Sequence, residues 1–376
     1  MIDDVVIVGA GPAGAWTART LARRGARVTL VDGSHPREKP CGGGVTGRAL
    51  SVVAEAVDHA ALPRSEIRAA RFVDTARGRS TSVALDAGDL VVASRTAFDG
   101  ALFAAAASAG ARVVRARATD VTQDGPRFTV RTREGDLHAR VLVGADGANS
   151  LVRRRLSRPF DRSDISVATG YFVHGLTSDE EASEILIEFV ADPPGYIWSF
   201  PRPTHLAVGI CAQADAGISV DALRARTRGW IAATGLDRGT LEPYSWPIPS
   251  LSSSRLDALT LGGPDWYLVG DAAGLVDPIT REGIYFALRS GELAADAIAT
   301  SDTGRARQQY DERVQDEIVG ELRRAANYKA RFFQPRFTRL LADALAESDG
   351  IRRVMARLVA GTEPYASLKS SLARTA

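Results

Sequence analysis

The chain has 376 residues, 45% of them apolar, with 47 basic and 45 acidic side chains and a formal net charge of +2. That length supports two or three structural units around a sizeable core. The near-neutral balance, without a lysine-rich block, argues against a phosphate-backbone partner, so no nucleic acid is expected. Two cysteines, Cys41 and Cys211, are too few for a disulfide framework or a zinc cluster, which predicts a reducing, cytoplasmic setting and no metal. Asp3 and Asp4 lead into a short strand without the basic region of a secretory signal. No apolar run approaches the roughly 20 residues that span a bilayer.

In chain order, Val5 to Val8 predicts a buried strand, Gly9 to Gly14 a glycine-rich turn, Ala15 to Arg24 a helix, and Arg27 to Val31 a second strand ending at Asp32. Phe98 to Ala109 reads as a helix. Arg112 to Thr122 and Phe128 to Arg133 read as strands, and Arg140 to Val143 as a strand feeding Gly144-Ala145-Asp146-Gly147. Extended segments follow at 169–176, 184–190 and 205–211, separated by Pro and Gly, which predicts an antiparallel sheet inserted into the first unit. Trp266 to Val269 is again a buried strand, ending at Gly270-Asp271, and Gly283 to Ala299 continues as a helix. After Asp302 the pattern is helical, with interruptions at Pro335, Gly350 and Gly361. The predicted units are therefore 1–63, 87–163 and 255–300 (nucleotide domain), 64–86 and 164–254 (sheet domain), and 301–376 (helical segment).

Gly9, Gly11 and Gly14 hold the spacing that permits a tight strand-to-helix turn and close backbone approach to a pyrophosphate. Pro12 and Ala13 open the helix, whose N-terminus offers unpaired N–H groups to phosphate. Asp32, followed by Gly33, closes the second strand where a carboxylate can accept from a ribose hydroxyl. Further along, Gly144-Ala145-Asp146-Gly147 and Gly270-Asp271-Ala272-Ala273-Gly274 each follow a buried strand. Together the three motifs resemble the signatures of the FAD-dependent family that includes aromatic-ring hydroxylases, flavin halogenases and geranylgeranyl reductases.

That resemblance implies an α/β fold with a Rossmann-type FAD-binding domain built on a parallel sheet. Its architecture would be of the GR2-like, glutathione-reductase and PHBH kind, with an inserted antiparallel sheet for substrate and a helical C-terminal segment. It implies FAD as cofactor, Asp271 at the ribityl chain, Asp146 and Gly147 beside the pyrophosphate, and Arg95 reaching the cofactor. The helix that opens at Gly283 and Ile284, after Asp277-Pro278, would place its positive end near the flavin ring. Arg95 also has a plain surface reading, since arginine is abundant here.

Lys39-Pro40-Cys41-Gly42-Gly43-Gly44 resembles the KPCGGG segment of geranylgeranyl reductases, and Tyr196-Ile197-Trp198-Ser199-Phe200-Pro201 their YxWxFP motif. This branch implies reduction of isolated alkenes in an isoprenoid or similar apolar substrate by hydride from the reduced flavin N5. Gly42, Gly43 and Gly44 would bring bare backbone close to the flavin. Cys41 reads as a group near the reacting atoms or as a buried structural thiol, and Cys211 as core. Tyr196, Trp198 and Phe200 alternate with period two and so share one face, a platform for substrate or the core of the sheet. Pro201 predicts an edge or a strand end. Cys41, Tyr196 and Trp198 are the catalytic candidates, with Phe200 and Arg281 facing substrate.

Arg281 stands where many geranylgeranyl reductases have glycine, so the substrate is left open. The alternative is a flavin monooxygenase, a hydroxylase or less readily a halogenase, working through oxygen chemistry on an aromatic or secondary-metabolite substrate. The WxWxIP pattern of tryptophan-rich halogenases is not kept, since Tyr196 stands for its first tryptophan and Phe200 for its isoleucine, and only Lys39 offers a lysine in the N-terminal half, both against halogenation. The expected partners are a prenyl lipid or other apolar small molecule and an external electron donor: NADPH, a ferredoxin or a flavin reductase. The arginines between Gly320 and Ala376 leave peripheral contact with an anionic membrane open, and the oligomeric state is unspecified.

Overall fold

The computed structural model describes residues 2–176, 183–300 and 303–374. Residues 177–182 of the expected sheet segment, and 301–302 and 375–376 of the expected helical segment, lie outside the described residues.

The nucleotide domain is built on a parallel sheet whose central strand is Ile2–Val8. Val28–Val31 pairs parallel on one side of it and Gly135–Gly144 on the other. Arg112–Val114 and Trp266–Leu268 extend the sheet in parallel beyond these two. Val5, Val6, Ile7, Leu30 and Val31 are almost wholly buried, in a core shared with Ala18 and Leu21 of the first helix and with Val121, Phe128 and Val130. Helix Pro12–Arg23 packs Trp16 and Leu21 inward and lies against helix Ile284–Thr300. The strand expected over 112–122 is two strands: after Arg112–Val114 the chain turns past Gly33, and Ala118–Asp124 pairs antiparallel with Arg127–Thr132. The helix expected from Phe98 starts at Arg95, because Ser94 caps it by accepting from the Ala97 N–H.

A second sheet of seven strands carries segments 69–84 and 165–249. The expected antiparallel sheet is instead mixed: Glu184–Ala191 pairs antiparallel with Pro194–Arg202 but parallel with Ala69–Asp74. Arg64–Glu66, assigned from sequence to this sheet, pairs with Leu90–Ala93 instead, whose other edge takes Gly44–Thr46. Thr240–Pro249 pairs only with Ile165–His174, so the prolines at 243, 247 and 249 sit in an edge strand. Pro201 lies near the end of a central strand. Pairing with Glu184–Ala191 stops at Ser199, so its missing N–H costs no bond on that side.

The last segment folds into helices Thr303–Val314, Gly320–Phe332, Pro335–Glu347, Asp349–Val359 and Tyr365–Ala373. Gly350 does not break it; the break is at Ser348, which caps the following helix. Among the described residues no helix is long and apolar enough to cross a membrane.

Asp164 and Arg255 join two of the places where the chain passes between the nucleotide domain and the seven-stranded sheet. Asp164 is buried, and it accepts from Arg255 Nε at 2.9 Å and Nη2 at 2.7 Å. Burial raises the Asp164 pKa, but Arg255 and the Asp161 N–H outweigh it and hold the carboxyl below its usual range. This contribution is present above the unfolded carboxylate pKa of about 4 and is lost as the pH falls through the lower folded value. Asp164→Ala is expected to cost about 2–4 kcal/mol in urea unfolding at pH 7, and the deficit should shrink in acid. An equal deficit at pH 7 and pH 2 would remove the clamp.

Candidate functional site

The glycine turn is shaped by contacts no side chain would allow. Gly9 has φ +102, and a Cβ on Gly14 would lie 1.8 Å from the Gly9 carbonyl oxygen, so helix and strand touch backbone to backbone. Gly14 thus serves packing, whereas Gly9, Gly11, Pro12 and Ala13 line a large cavity. Asp32 and Gly33 also line it. The Asp32 carboxylate accepts from the Ala10, Ser34 and His35 N–H groups and contacts His35 Nδ1. Burial raises its pKa, but the His35 ring and these hydrogen bonds prevail and hold it below the usual carboxylate range.

Asp146 caps the helix Leu151–Leu156, its Oδ2 accepting from the Leu151 and Val152 N–H groups. Burial pushes this carboxyl up, and among the described residues its buried Oδ1 meets no partner. Gly147 lines the cavity beside it. Arg153, not anticipated from sequence, donates to the Ala272 and Ala273 carbonyls and so ties this turn to the one bearing Asp271. Asp271 faces the cavity and accepts from Lys39 Nζ at 3.1 Å.

The segment from Arg37 to Gly44 crosses the cavity and is held by two residues the sequence did not single out. Glu38 accepts from Ser94, from the Arg95 and Thr96 N–H groups, and pairs with Arg202. Arg202 also donates to the Lys39 and Gly42 carbonyls. The bareness of the glycines, assigned from sequence to the flavin, is used against the sheet. A Cβ on Gly42 would strike the Phe200 ring at 2.6 Å, and one on Gly43 would meet Arg202 at 2.9 Å. All three glycines nevertheless line the cavity. Arg95 is buried, not a surface residue, but both Nε and Nη2 are bound by Asp99. Its Nη1 reaches Cys41 Sγ at 3.4 Å, and Arg202 Nη2 reaches the same sulfur at 3.4 Å.

On the opposite side the loop from Asp277 to Gly283 is fastened from three directions. Tyr196 donates to the Thr280 carbonyl at 2.8 Å, Tyr365 to Asp277 Oδ2 at 2.8 Å, and Thr46 and Arg48 hold Glu282. Pro278 does not line the cavity; it sits in a turn closed by Asp277 Oδ1, which accepts from the Ile279 and Thr280 N–H groups. Gly283 and Ile284 do line it, at the start of the helix. Burial pushes the Tyr196 hydroxyl well above its ordinary pKa. Cys211, read from sequence as core, is fully buried yet lines the cavity directly opposite Tyr196 in register. Its place at the end of an apolar strand gave no sign of this.

The cavity measures about 1070 Å³, above the roughly 300–1,000 Å³ of a pocket for one small molecule. It runs from the glycine turn to one face of the seven-stranded sheet, where Tyr196, Trp198 and Phe200 stand together. A dinucleotide fits the first part on direct grounds: a bare backbone cradle at a helix N-terminus, an acid at the ribose position, and the orphaned Oδ1 of Asp146 beside them.

Residues 3–319 match the model of the FAD-binding domain family, and the chain belongs to that family of flavoproteins. It is 33% identical to a digeranylgeranylglycerophospholipid reductase of Methanothrix thermoacetophila over 355 residues, 88% of each chain. A menaquinone reductase of Mycolicibacterium smegmatis is 30% identical over 323 residues, 79% of this chain and 76% of that one. The crystal structure of a geranylgeranyl bacteriochlorophyll reductase-like protein from Thermoplasma acidophilum superposes with a TM-score of 0.81 at 24% identity, covering 99% of both chains. Within the flavoproteins the chain is a member of the geranylgeranyl reductase family and an FAD-dependent oxidoreductase.

Gly11 separates cofactor approach from folding. A Cβ there meets nothing in the protein closer than His35 Nε2 at 3.6 Å. Gly11→Ala is therefore expected to leave the melting temperature of the FAD-free protein unchanged while weakening FAD binding about tenfold or more. Equal FAD affinity for both proteins by fluorescence titration would place the pyrophosphate elsewhere.

Proposed function

We propose that the chain reduces isolated carbon–carbon double bonds of a prenyl chain laid along the seven-stranded sheet. The observation that carries this reading is the run of side chains on the cavity face of that sheet. In strand order it passes from Ile248 through Ala168, Cys211 and Tyr196 to Ile187 and Phe72. Five strand spacings of roughly 4.8 Å make this an elongated floor of about 24 Å. At its far end Phe332, Met355 and Leu358 of the C-terminal helices close over Phe72 and Phe189. An isolated alkene has no carbonyl to grip, so burial, about 0.8 kcal/mol per CH₂, must position it. The names of the two relatives, a reductase of a digeranylgeranyl phospholipid and one of menaquinone, support this reading.

The glycine turn, Asp32, Asp146 and Asp271 would hold FAD, and Gly283 and Ile284 would present the positive end of their helix to the ring. When bound and reduced, FAD supplies a hydride to one alkene carbon. The other carbon needs a proton. Tyr196 is poorly suited to give it, since its hydroxyl is committed to the Thr280 carbonyl and held well above its ordinary pKa. In this reading Cys41 gives it: the thiol faces the cavity, and the guanidinium groups of Arg95 and Arg202 lie 3.4 Å away to stabilise the sulfur as its proton leaves. Tyr196, Trp198 and Phe200 exclude water and fix the chain. NADPH, a ferredoxin or a flavin reductase would supply the electrons.

Reduced enzyme mixed anaerobically with a prenyl lipid or prenylquinone is expected to reoxidise and return a product heavier by two hydrogens. Cys41→Ala should lower the rate about 100-fold or more, while Tyr196→Phe should stay within about fivefold. No reoxidation with any such substrate, together with oxygen uptake and a product heavier by one oxygen, would establish a monooxygenase instead.

A further inference from the structure

The cavity floor changes character along the sheet. At the Phe72 end it is closed by apolar helical residues, whereas the other end carries Arg281 and Lys329, neither of which is in an ion pair among the described residues. Arg281 lines the cavity, and its Nη1 donates to Ser250 Oγ. The same oxygen accepts from Lys329 Nζ at 2.7 Å, which also donates to Gln213 Oε1 at 2.7 Å. Two cations thus share one neutral hydroxyl. Among the described residues no carboxylate lies within ion-pair distance of either, and Arg281 Nε and Nη2 meet no acceptor. These two donors form the side-on fork of the guanidinium, the geometry that grips an oxyanion through two bonds.

We propose that Arg281, backed by Ser250 and Lys329, is a recognition site for a phosphate ester carried at the head of the substrate. Arg281 makes the direct contact. Ser250 aims it, and Lys329 acts through Ser250 as a positioning residue that adds positive field. The prenyl reading of the cavity is assumed for the tail; the anion site is argued from charge alone.

Three further observations bear on it. Arg281 holds φ +62, a conformation that glycine adopts freely and long side chains rarely do, so the chain keeps this cation against local backbone preference. Burial, with Arg281 as the next cause, pulls the Lys329 ammonium down to about 7 against the opposing pull of Asp215, so Lys329 sits close beside the Arg281 charge. One helical turn beyond Lys329, Phe332 packs edge-on to Phe189 at 5.2 Å, so one helix carries both the cation and part of the apolar closure. A molecule with an acidic head and an isoprenoid tail matches that division.

The test is equilibrium binding to the oxidised holoenzyme, read by calorimetry, with geranyl monophosphate, geraniol and inorganic phosphate. The wild type should bind geranyl monophosphate about 30-fold more tightly than geraniol, the scale of a charge-assisted bidentate contact. Arg281→Gly suits the local backbone and should fold. It is expected to bring the two ligands within about threefold of each other, with Arg281→Lys in between. Lys329→Gln should lower the preference about three- to tenfold with geraniol binding unchanged, a split that a purely structural role would not give. If geraniol binds as tightly as the phosphate and Arg281→Gly moves neither, the anion site is overturned while the prenyl reading stands. If inorganic phosphate binds in an Arg281-dependent manner and both geranyl compounds bind no better than it, the anion site stands and the prenyl reading falls. A shift of the flavin midpoint potential in Arg281→Gly with the phosphate preference intact would assign Arg281 to the cofactor and overturn the proposal.

Discussion

The site depends on the fastening of one loop, Asp277 to Gly283, by three parts of the chain that are distant in sequence. Tyr196 reaches it from the sheet, Tyr365 from the C-terminal helices, and Thr46 and Arg48 from the segment after the Cys41 turn. Two of these contacts are phenol hydroxyls, and that of Tyr365 goes to the buried Asp277, where an acceptor left unpaired costs about 1–3 kcal/mol. The loop is therefore one position shared by the seven-stranded sheet, the C-terminal helices and the segment after Cys41. It carries Arg281 and leads into the helix that would face the cofactor in the proposed reading, so the two geometries would be set together.

Glu38 plays the matching part on the other wall. It caps the helix starting at Arg95 and pairs with Arg202 of the sheet, fixing the Cys41 segment between the two domains. Cys41 then has guanidinium groups on two sides, both anchored elsewhere: Arg95 by Asp99 and Arg202 by backbone carbonyls. Anchored charges lose little by reorganising when a proton moves, which is how a rigid polar frame contributes to catalysis. In the proposed reading the apolar floor beside it would supply burial and the cationic end beyond would supply direction.

Much of this was legible in the sequence where the physics is local. The Gly9 turn, Asp32 and the two later acid turns follow from backbone sterics and short-range spacing, so they emerged as a nucleotide fold. The period-two run Tyr196, Trp198, Phe200 placed three rings on one face, and all three do line the cavity. Errors arose where a neighbour far away in sequence decides. Arg112 to Thr122 reads as one strand, but it breaks because Gly33 and the cavity lie across its path. Arg64–Glu66 joins the small sheet because both edges of Leu90–Ala93 were open to partners. Arg95 and the Gly42 to Gly44 turn line the cavity, and their contacts with Asp99 and Phe200 were not visible in the sequence.

The sequence by itself determined a nucleotide-binding fold, because glycine sterics, strand periodicity and acids at strand ends are all set within a few residues, and the resemblance of its later motifs to a known family pointed to FAD. Only the tertiary structure decided which polar groups remain unspent. Tyr196 proves committed to Thr280, Asp271 to Lys39, and Cys211 to the cavity wall, while Arg281 and Lys329 share a serine and no carboxylate among the described residues. Pairing of buried charges is a long-range matter of which side chains the fold brings within hydrogen-bond distance, and a linear reading has no measure of that.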